Sequence, residues 1–430
     1  MRILRYIFYF AFISVLFGAC FSFWSGDEDN LTIVWGNTGN NRSFVEEEDL
    51  ASYRFTVTLT GPGPKQEETF TGVPSASFKV IPGLWTVTIK GEGISYITGP
   101  FPGTHYELKV MGIEQVEVTD GKNDPKVIKI YTATVVDSWD GLYFAVNDLS
   151  KTSGLYPSED GPPREELILL TESFEIENLA EFPPEIYGIQ INRPIILVTE
   201  TPVVISNVNE IGDSFFTIID GASLTLGLPG MTGTLTLNDN FYGFDVPIIN
   251  ISGDNMTTTF VLNSGVTITG RDNKPSGIHG GGVYVGGEDT IFTMNGGSII
   301  GNEATIGGGV FVGYKATFIM NNGNIGKNAS EFRGGGVFVD YDATFIMNGG
   351  TISNNTTDDG GGGVFVDGPG SFVMNGGTIS GNAAVGEGGR GGGVHGYYNY
   401  DGRNFIHKGG VISGNSATME GANIYMEENM

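Results

Sequence analysis

With 430 residues, 40% of them hydrophobic and 11% aromatic, the chain has the apolar content of two or three folded domains, which excludes an intrinsically disordered polypeptide. Its 22 lysines and arginines against 49 aspartates and glutamates give a formal charge of −27, which disfavours nucleic acid and bare anionic lipid as partners. Glycine supplies 68 residues with no Gly-X-Y period, so collagen is excluded and the excess needs another cause.

Residues 1–19 read as a signal peptide: Arg2 and Arg5 supply a positive start, and residues 6–17 form an apolar run too short to span a bilayer comfortably. Gly18 and Ala19 precede Cys20, the one cysteine of the chain, so an intramolecular disulfide is excluded. The stretch LFGAC resembles a relaxed bacterial lipobox of the spirochaetal kind, with Phe17 where leucine is commonest. The resemblance implies a diacylglyceryl group on Cys20 and attachment to the bacterial cell envelope, at the outer membrane and surface-exposed. Loss of residues 1–19 removes both arginines and brings the charge to −27 − 2 = −29. Residues 20–30 then form an acidic tether, and no other segment is long and apolar enough to cross a membrane.

Residues 31–136 alternate apolar and polar positions in short runs such as YRFTVTLTG, LWTVTIKGEG and YELKVMGIEQVEV, broken by Gly, Pro, Asn and Asp. That pattern predicts about seven antiparallel strands in a β-sandwich. VIPGLWTVTIKGEG is similar to hairpins of transthyretin-like and immunoglobulin-like modules on bacterial surface proteins, which implies a spacer or presenter. A helical cap and loop occupy 137–165: Ser138 is the expected N-cap, and Leu142, Ala145, Val146 and Leu149 form an apolar stripe. A short amphipathic helix ahead of strands resembles the N-terminal cap of a parallel β-helix.

The rest of the chain is repetitive. A glycine triplet ends at Val283, Val310, Val337, Val364 and Val394, with spacings of 27, 27, 27 and 30, and a degenerate copy ends at Ile424. Phe-x-x-Asn recurs from Phe260, Phe292, Phe318, Phe345 and Phe372, and decays at Phe405; Ile-x-x-Asn recurs from Ile299, Ile325, Ile352, Ile379 and Ile412. Three short strands per unit, with no segment long enough for a helix, predict a right-handed parallel β-helix over 166–430, regular from 260, of roughly nine or ten coils. Equivalent side chains then stack: the phenylalanines and Met294, Met320, Met347 and Met374 as core, Asn295, Asn321, Asn348 and Asn375 as an amide ladder. Glycine fits corners that demand positive φ or close backbone approach.

The paired motifs resemble the GGA[ILV] and FxxN repeats of chlamydial polymorphic membrane proteins, and glycine-rich repeat lipoproteins of spirochaetes, over about 170 residues. This implies the pectin-lyase-like β-helix fold and a structural or adhesin-like role toward a host or environmental glycan or protein. The chain ends in IYMEENM where those proteins continue into a transporter barrel, so attachment through Cys20 is expected instead.

Two groups of residues carry the functional expectations. Within GVFV the valines should face inward, leaving Tyr284, Phe311, Phe338, Phe365, His395 and Tyr425 as an outward aromatic stripe exposed to a sugar or partner; the alternatives are cover by corner loops or by the N-terminal domain, or a parity shifted by one residue. Asp340 and Asp367 occupy equivalent positions one coil apart, as a cation-binding or acid–base pair or as simple turn residues. Asp358 and Asp359 fall in a corner that varies between repeats. No catalytic residue, metal site or cofactor is assigned: four scattered histidines lack ligand spacing, GIHGGG lacks the companion motifs of pectin-degrading hydrolases, and the calcium nonapeptide of repeat toxins is missing. A polysaccharide lyase or glycoside hydrolase on this fold is the alternative, favoured by a groove with three or more carboxylates and a basic residue.

Overall fold

The computed structural model describes residues 30–36, 54–71, 75–98, 105–119, 123–129, 131–147, 166–176, 188–207, 213–239, 246–253, 256–270, 277, 279–399 and 402–428. Cys20, the expected signal peptide, most of the expected tether, Leu149 and the loop expected before residue 166 lie outside them.

The N-terminal region is a β-sandwich. Asn30–Gly36 pairs antiparallel with Ser75–Lys79 and parallel with Lys126–Lys129; the facing sheet runs Gln66–Thr71, Arg54–Thr60, Gly83–Thr98, His105–Val118 and Tyr131–Val136. Alternation puts Phe55, Val57, Leu59, Val87 and Ile89 inward against Leu31, Ile33, Trp35 and Phe78. Trp85 anchors the PGLW hairpin by donating its indole N–H to the Ile81 carbonyl at 2.9 Å, and Gly61 lies where a Cβ would strike the indole at 2.5 Å.

Helix α1, Trp139–Asn147, follows the sandwich. Ser138 caps it, its Oγ accepting from the Gly141 amide at 3.2 Å, which satisfies one of the unpaired donors of the first turn. Leu142, Ala145 and Val146 are buried against the first solenoid coils, and Trp139 packs its ring near Phe174, Phe215 and Phe216. The other end of α1 is tied by Arg193, whose Nη2 donates to the Ala145 carbonyl at 2.9 Å and to Glu166 Oε2 at 2.7 Å. Burial pushes the Glu166 carboxyl above the usual carboxylate range, opposed by this arginine. The helix therefore covers the open end of the core, as a cap must.

From Glu166 the chain winds into a right-handed parallel β-helix of about eight turns. The Phe-x-x-Asn strands and the Ile-x-x-Asn strands each form nine-rung ladders, beginning at Glu166–Leu170 and Phe174–Ile176, and the Gly-Gly-Gly-Val strands form a third from Ile189–Ile191. The count is slightly below the sequence expectation because the early coils are longer: Ser223 pairs with Thr259, 36 residues on. Registers then lock, with Phe292, Phe318, Phe345 and Phe372 directly paired in succession. The regular coils add a fourth, shorter ladder at the variable corner, from Glu303–Ile306 through Ala329–Arg333, Thr356–Thr357 and Ala383–Ala384 to Ser416–Ala417.

Inside, the rings from Phe260 to Phe405 stack face to face with centroids 4.6–4.9 Å apart, flanked by fully buried Met294, Met320, Met347 and Met374. Two amide ladders run along corners. Asn321, Asn348 and Asn375 each donate to the preceding asparagine near the surface. Asn302, Asn328, Asn355 and Asn382 are fully buried, and each donates both its amide Nδ2 and its backbone N–H to the next Oδ1, which pairs the polar groups of the corner except Asn302 Oδ1 at the head of the ladder. The triplets need glycine for two reasons. The first member, as at Gly334 and Gly361, has φ near +65°; at the second, a Cβ on Gly335 would meet the Thr356 carbonyl oxygen at 2.3 Å.

The sandwich and the solenoid share one sheet. Tyr131–Val136 pairs antiparallel with His105–Val118 on one edge and parallel with Glu166–Leu170 on the other, making a continuous sheet of fourteen strands.

Candidate functional site

The aromatic stripe has the expected outward parity and not the open exposure. Val337 and Val339 belong to the central core, whereas Phe311, Phe338 and Phe365 form a second apolar cluster outside it, 4%, 4% and 0% exposed; Tyr284 and Tyr425 are half-buried. The cover comes from the residue just before each glycine triplet. His279, Ile306, Arg333, Gly360, Arg390 and Glu420 pair in register as a further ladder of backbone bridges. The turn at the first glycine folds this ladder back over the aromatic column. His279 stacks on Phe311 at 4.8 Å, the Arg333 guanidinium lies 4.8 Å above the Phe365 ring, and Arg390 lies 5.3 Å from the Tyr425 ring. In each case the covering residue reaches the aromatic of the following coil.

Along the column lies a cleft of about 340 Å³ whose walls include His279, Phe311, Phe332, Arg333 and Phe338. Asp340, Asp359 and Asp367 enter it from separate loops. The strands deliver Asp340 and Asp367 one rung apart, because Val339 pairs with Val366, and each aspartate accepts a turn hydrogen bond at its carbonyl, from Ala343 and Gly370 respectively. The backbone of each aspartate makes a turn, and both residues line the cleft. Burial pushes the Asp340 carboxyl above the usual carboxylate range and nearby Asp367 adds to the shift, against the Tyr341 amide and His279.

Asp359 was not legible as a site residue, since its corner varies in sequence. The fourth ladder holds it all the same: its amide donates to the Phe332 carbonyl at 3.0 Å, its carbonyl accepts from Arg390 at 2.9 Å, and its Oδ2 pairs with Arg333 Nε at 3.1 Å. Asp358 beside it is exposed. Arg333 supplies the basic group that the sequence did not place near Asp340 and Asp367. Among the described residues no group of three or more His, Cys, Asp or Glu side chains is arranged to hold a metal ion.

His395 takes the column position of a phenylalanine one coil beyond Phe365, in the first 30-residue repeat. It is 4% exposed, its Nε2 lies 3.3 Å from Glu427 Oε2, and burial pulls its pKa below the usual imidazole value against the attraction of Glu427. Gly360 makes room for it: a Cβ there would sit on His395 Nδ1.

Among the described residues no helix is long and apolar enough to cross a membrane. No family model, curated protein or solved structure matches the chain.

Proposed function

We propose that the protein is a lipid-anchored component of a bacterial cell envelope, held by Cys20, whose solenoid has a structural and adhesin-like role and binds a glycan in the cleft beside Arg333. The observation that carries this reading is the cleft itself, where aromatic rings, one guanidinium and three carboxylates converge. A pyranose offers an apolar C–H face suited to the exposed ring of Phe332, and hydroxyls that carboxylates and arginine can hold in a fixed orientation. The anchor rests on the lipobox resemblance, and the interaction role on the repeat resemblance.

A second reading, a polysaccharide lyase or glycoside hydrolase, is favoured by the same cleft, whose three carboxylates and arginine meet the condition that the sequence set for it, and by one further observation. Asp340, shifted upward by burial with Asp367 one rung away, has the character of a general acid beside a candidate base, as in glycoside hydrolysis. Binding on an array of neutral and amino-sugar glycans, run beside reducing-sugar assays, separates the two. Saturable binding without product, weakened at least about tenfold by Arg333→Ala or Asp359→Asn, supports the binding role. Product whose release stops in Asp340→Asn replaces it with the hydrolase.

A further inference from the structure

The last glycine triplet departs from the others in a particular way. In the preceding coils, at 307–309, 334–336, 361–363 and 391–393, all three positions are buried glycines. The first of each has φ between +61° and +67°, and Gly421 keeps both the residue and the angle, at +67°. The second and third are glycine for another reason. A Cβ on Gly308, Gly335 or Gly362 would lie 2.5–2.6 Å from the carbonyl oxygen of the same position one coil on, and a Cβ on Gly309, Gly336 or Gly363 would meet the next coil at the same distances. The coil that follows requires these glycines; their own backbone does not. In the last triplet they are replaced by Ala422 and Asn423, both exposed. Glycine is kept where conformation demands it and lost where only a further coil would.

Asn423 also ends the buried amide ladder. The backbone N–H and Nδ2 of Asn382 both donate to Asn415 Oδ1, one coil on, at 2.9 Å. Asn415 has the same two donors, and both go to Asn423 Oδ1, at 3.2 and 3.1 Å, from eight residues ahead in its own coil. The acceptor that each earlier asparagine takes from its successor is thus supplied from within, and the ladder closes with its donors paired.

The surface these two residues guard is an adhesive one. Among the described residues the four solenoid ladders end in this coil, at Phe405–His407, Val411–Ser413, Ser416–Ala417 and Ile424–Glu428, and Ile406, Val411 and Met419 are 45%, 54% and 53% exposed. An open strand edge beside exposed apolar side chains is a template for another chain. Because α1 covers the opposite end of the core, two copies could stack coil on coil only tail to tail, through the same surface on each. We propose that Ala422 and Asn423 form a stop that closes this end of the solenoid to stacking by a second copy of the chain. Their Cβ atoms fill space that a partner backbone would need at the spacing of paired strands, in whichever direction it ran. The Asn423 amide satisfies the ladder before a partner can. The stop is independent of what the cleft beside Arg333 binds.

Sedimentation velocity of the full chain over a wide range of concentration tests the proposal, with circular dichroism reporting the fold of each variant. Restoring the triplet with Ala422→Gly and Asn423→Gly together should produce a dimer at concentrations at least about tenfold below any at which the unaltered protein associates. Ala422→Gly alone leaves the Asn423 bonds in place and should shift association in the same direction by less. Asn423→Ala removes the amide and keeps the Cβ, so it should remain unassociated. Adding Val411→Lys to the double glycine variant places a charge on the joined surface and should return it to monomer. Association of the unaltered protein as readily as the double variant, a monomeric double variant, a monomeric Ala422→Gly where the double variant does not fold, a dimer in Asn423→Ala, or a dimer that survives Val411→Lys would each overturn it.

Discussion

Two aromatic columns run along the same coils with the same period, and they are built differently. The inner one, Phe260 to Phe405, is enclosed by the solenoid sheets, with rings 4.6–4.9 Å apart. The outer one, Tyr284 to Phe365, stacks at 5.2–5.4 Å and is covered by residues that precede the glycine triplets, joined at Phe365 by Tyr397. Every inner rung repeats its neighbour. The roof changes at each coil, from histidine to isoleucine, arginine, glycine, arginine and glutamate. Repetition maintains the stack, and the non-repeating ladder decides where its side opens.

Phe345→Ala should break the inner column at a cost of about 3–5 kcal/mol, because a cavity between two rings cannot collapse without disturbing both neighbours. Phe338→Ala should cost only about 2 kcal/mol, since its void opens to the cleft and mainly the transfer contribution is lost. Urea unfolding of both variants measures the gap, and equal costs would show that the roof encloses the outer column as completely as the solenoid encloses the inner one.

The same contrast applies to the amide ladders. Asn355→Ala strands a buried backbone N–H of Asn328 and the carbonyl of Ile325, so a loss of about 2 kcal/mol is expected; Asn348→Ala on the exposed ladder should change stability by about 0.5 kcal/mol or less.

The smallest effect concerns pH. Burial holds the folded pKa of His395 below the usual imidazole value of about 6.5, so the unfolded chain binds its proton first. Stability from this group is intact above pH 6.5 and is lost as pH falls from there through the folded value. His395→Phe restores the column residue and should flatten that part of the melting-temperature profile between neutral and mildly acidic pH. A profile identical to that of the unaltered protein would show that Glu427, Asp359, Arg333 and Arg390 around the imidazole already compensate for its titration.

Spacing made the inner column legible because the side-chain period locates Phe345 and Met347 on one face, and an interval of 27 residues returns the chain to the same place. The Ser138 cap and the stripe of α1 were legible for a similar local reason. The fourth ladder was not, because Ala329–Arg333, Thr356–Thr357 and Ala383–Ala384 share backbone amides and no side-chain pattern. With that ladder unseen, Asp359 had no fixed position and Arg333 had no visible neighbour. The one available signal was the residue before each glycine triplet, which tracks the column five positions later.

The shared sheet has a mechanical meaning. A β-helix attached by a free linker would pivot about its tether, and a pull on its far end would straighten the linker before loading either body. Here Tyr131–Val136 is a strand of both, so tension passes through hydrogen bonds aligned side by side and is borne by many at once. Turning the solenoid relative to the sandwich requires twisting a continuous sheet.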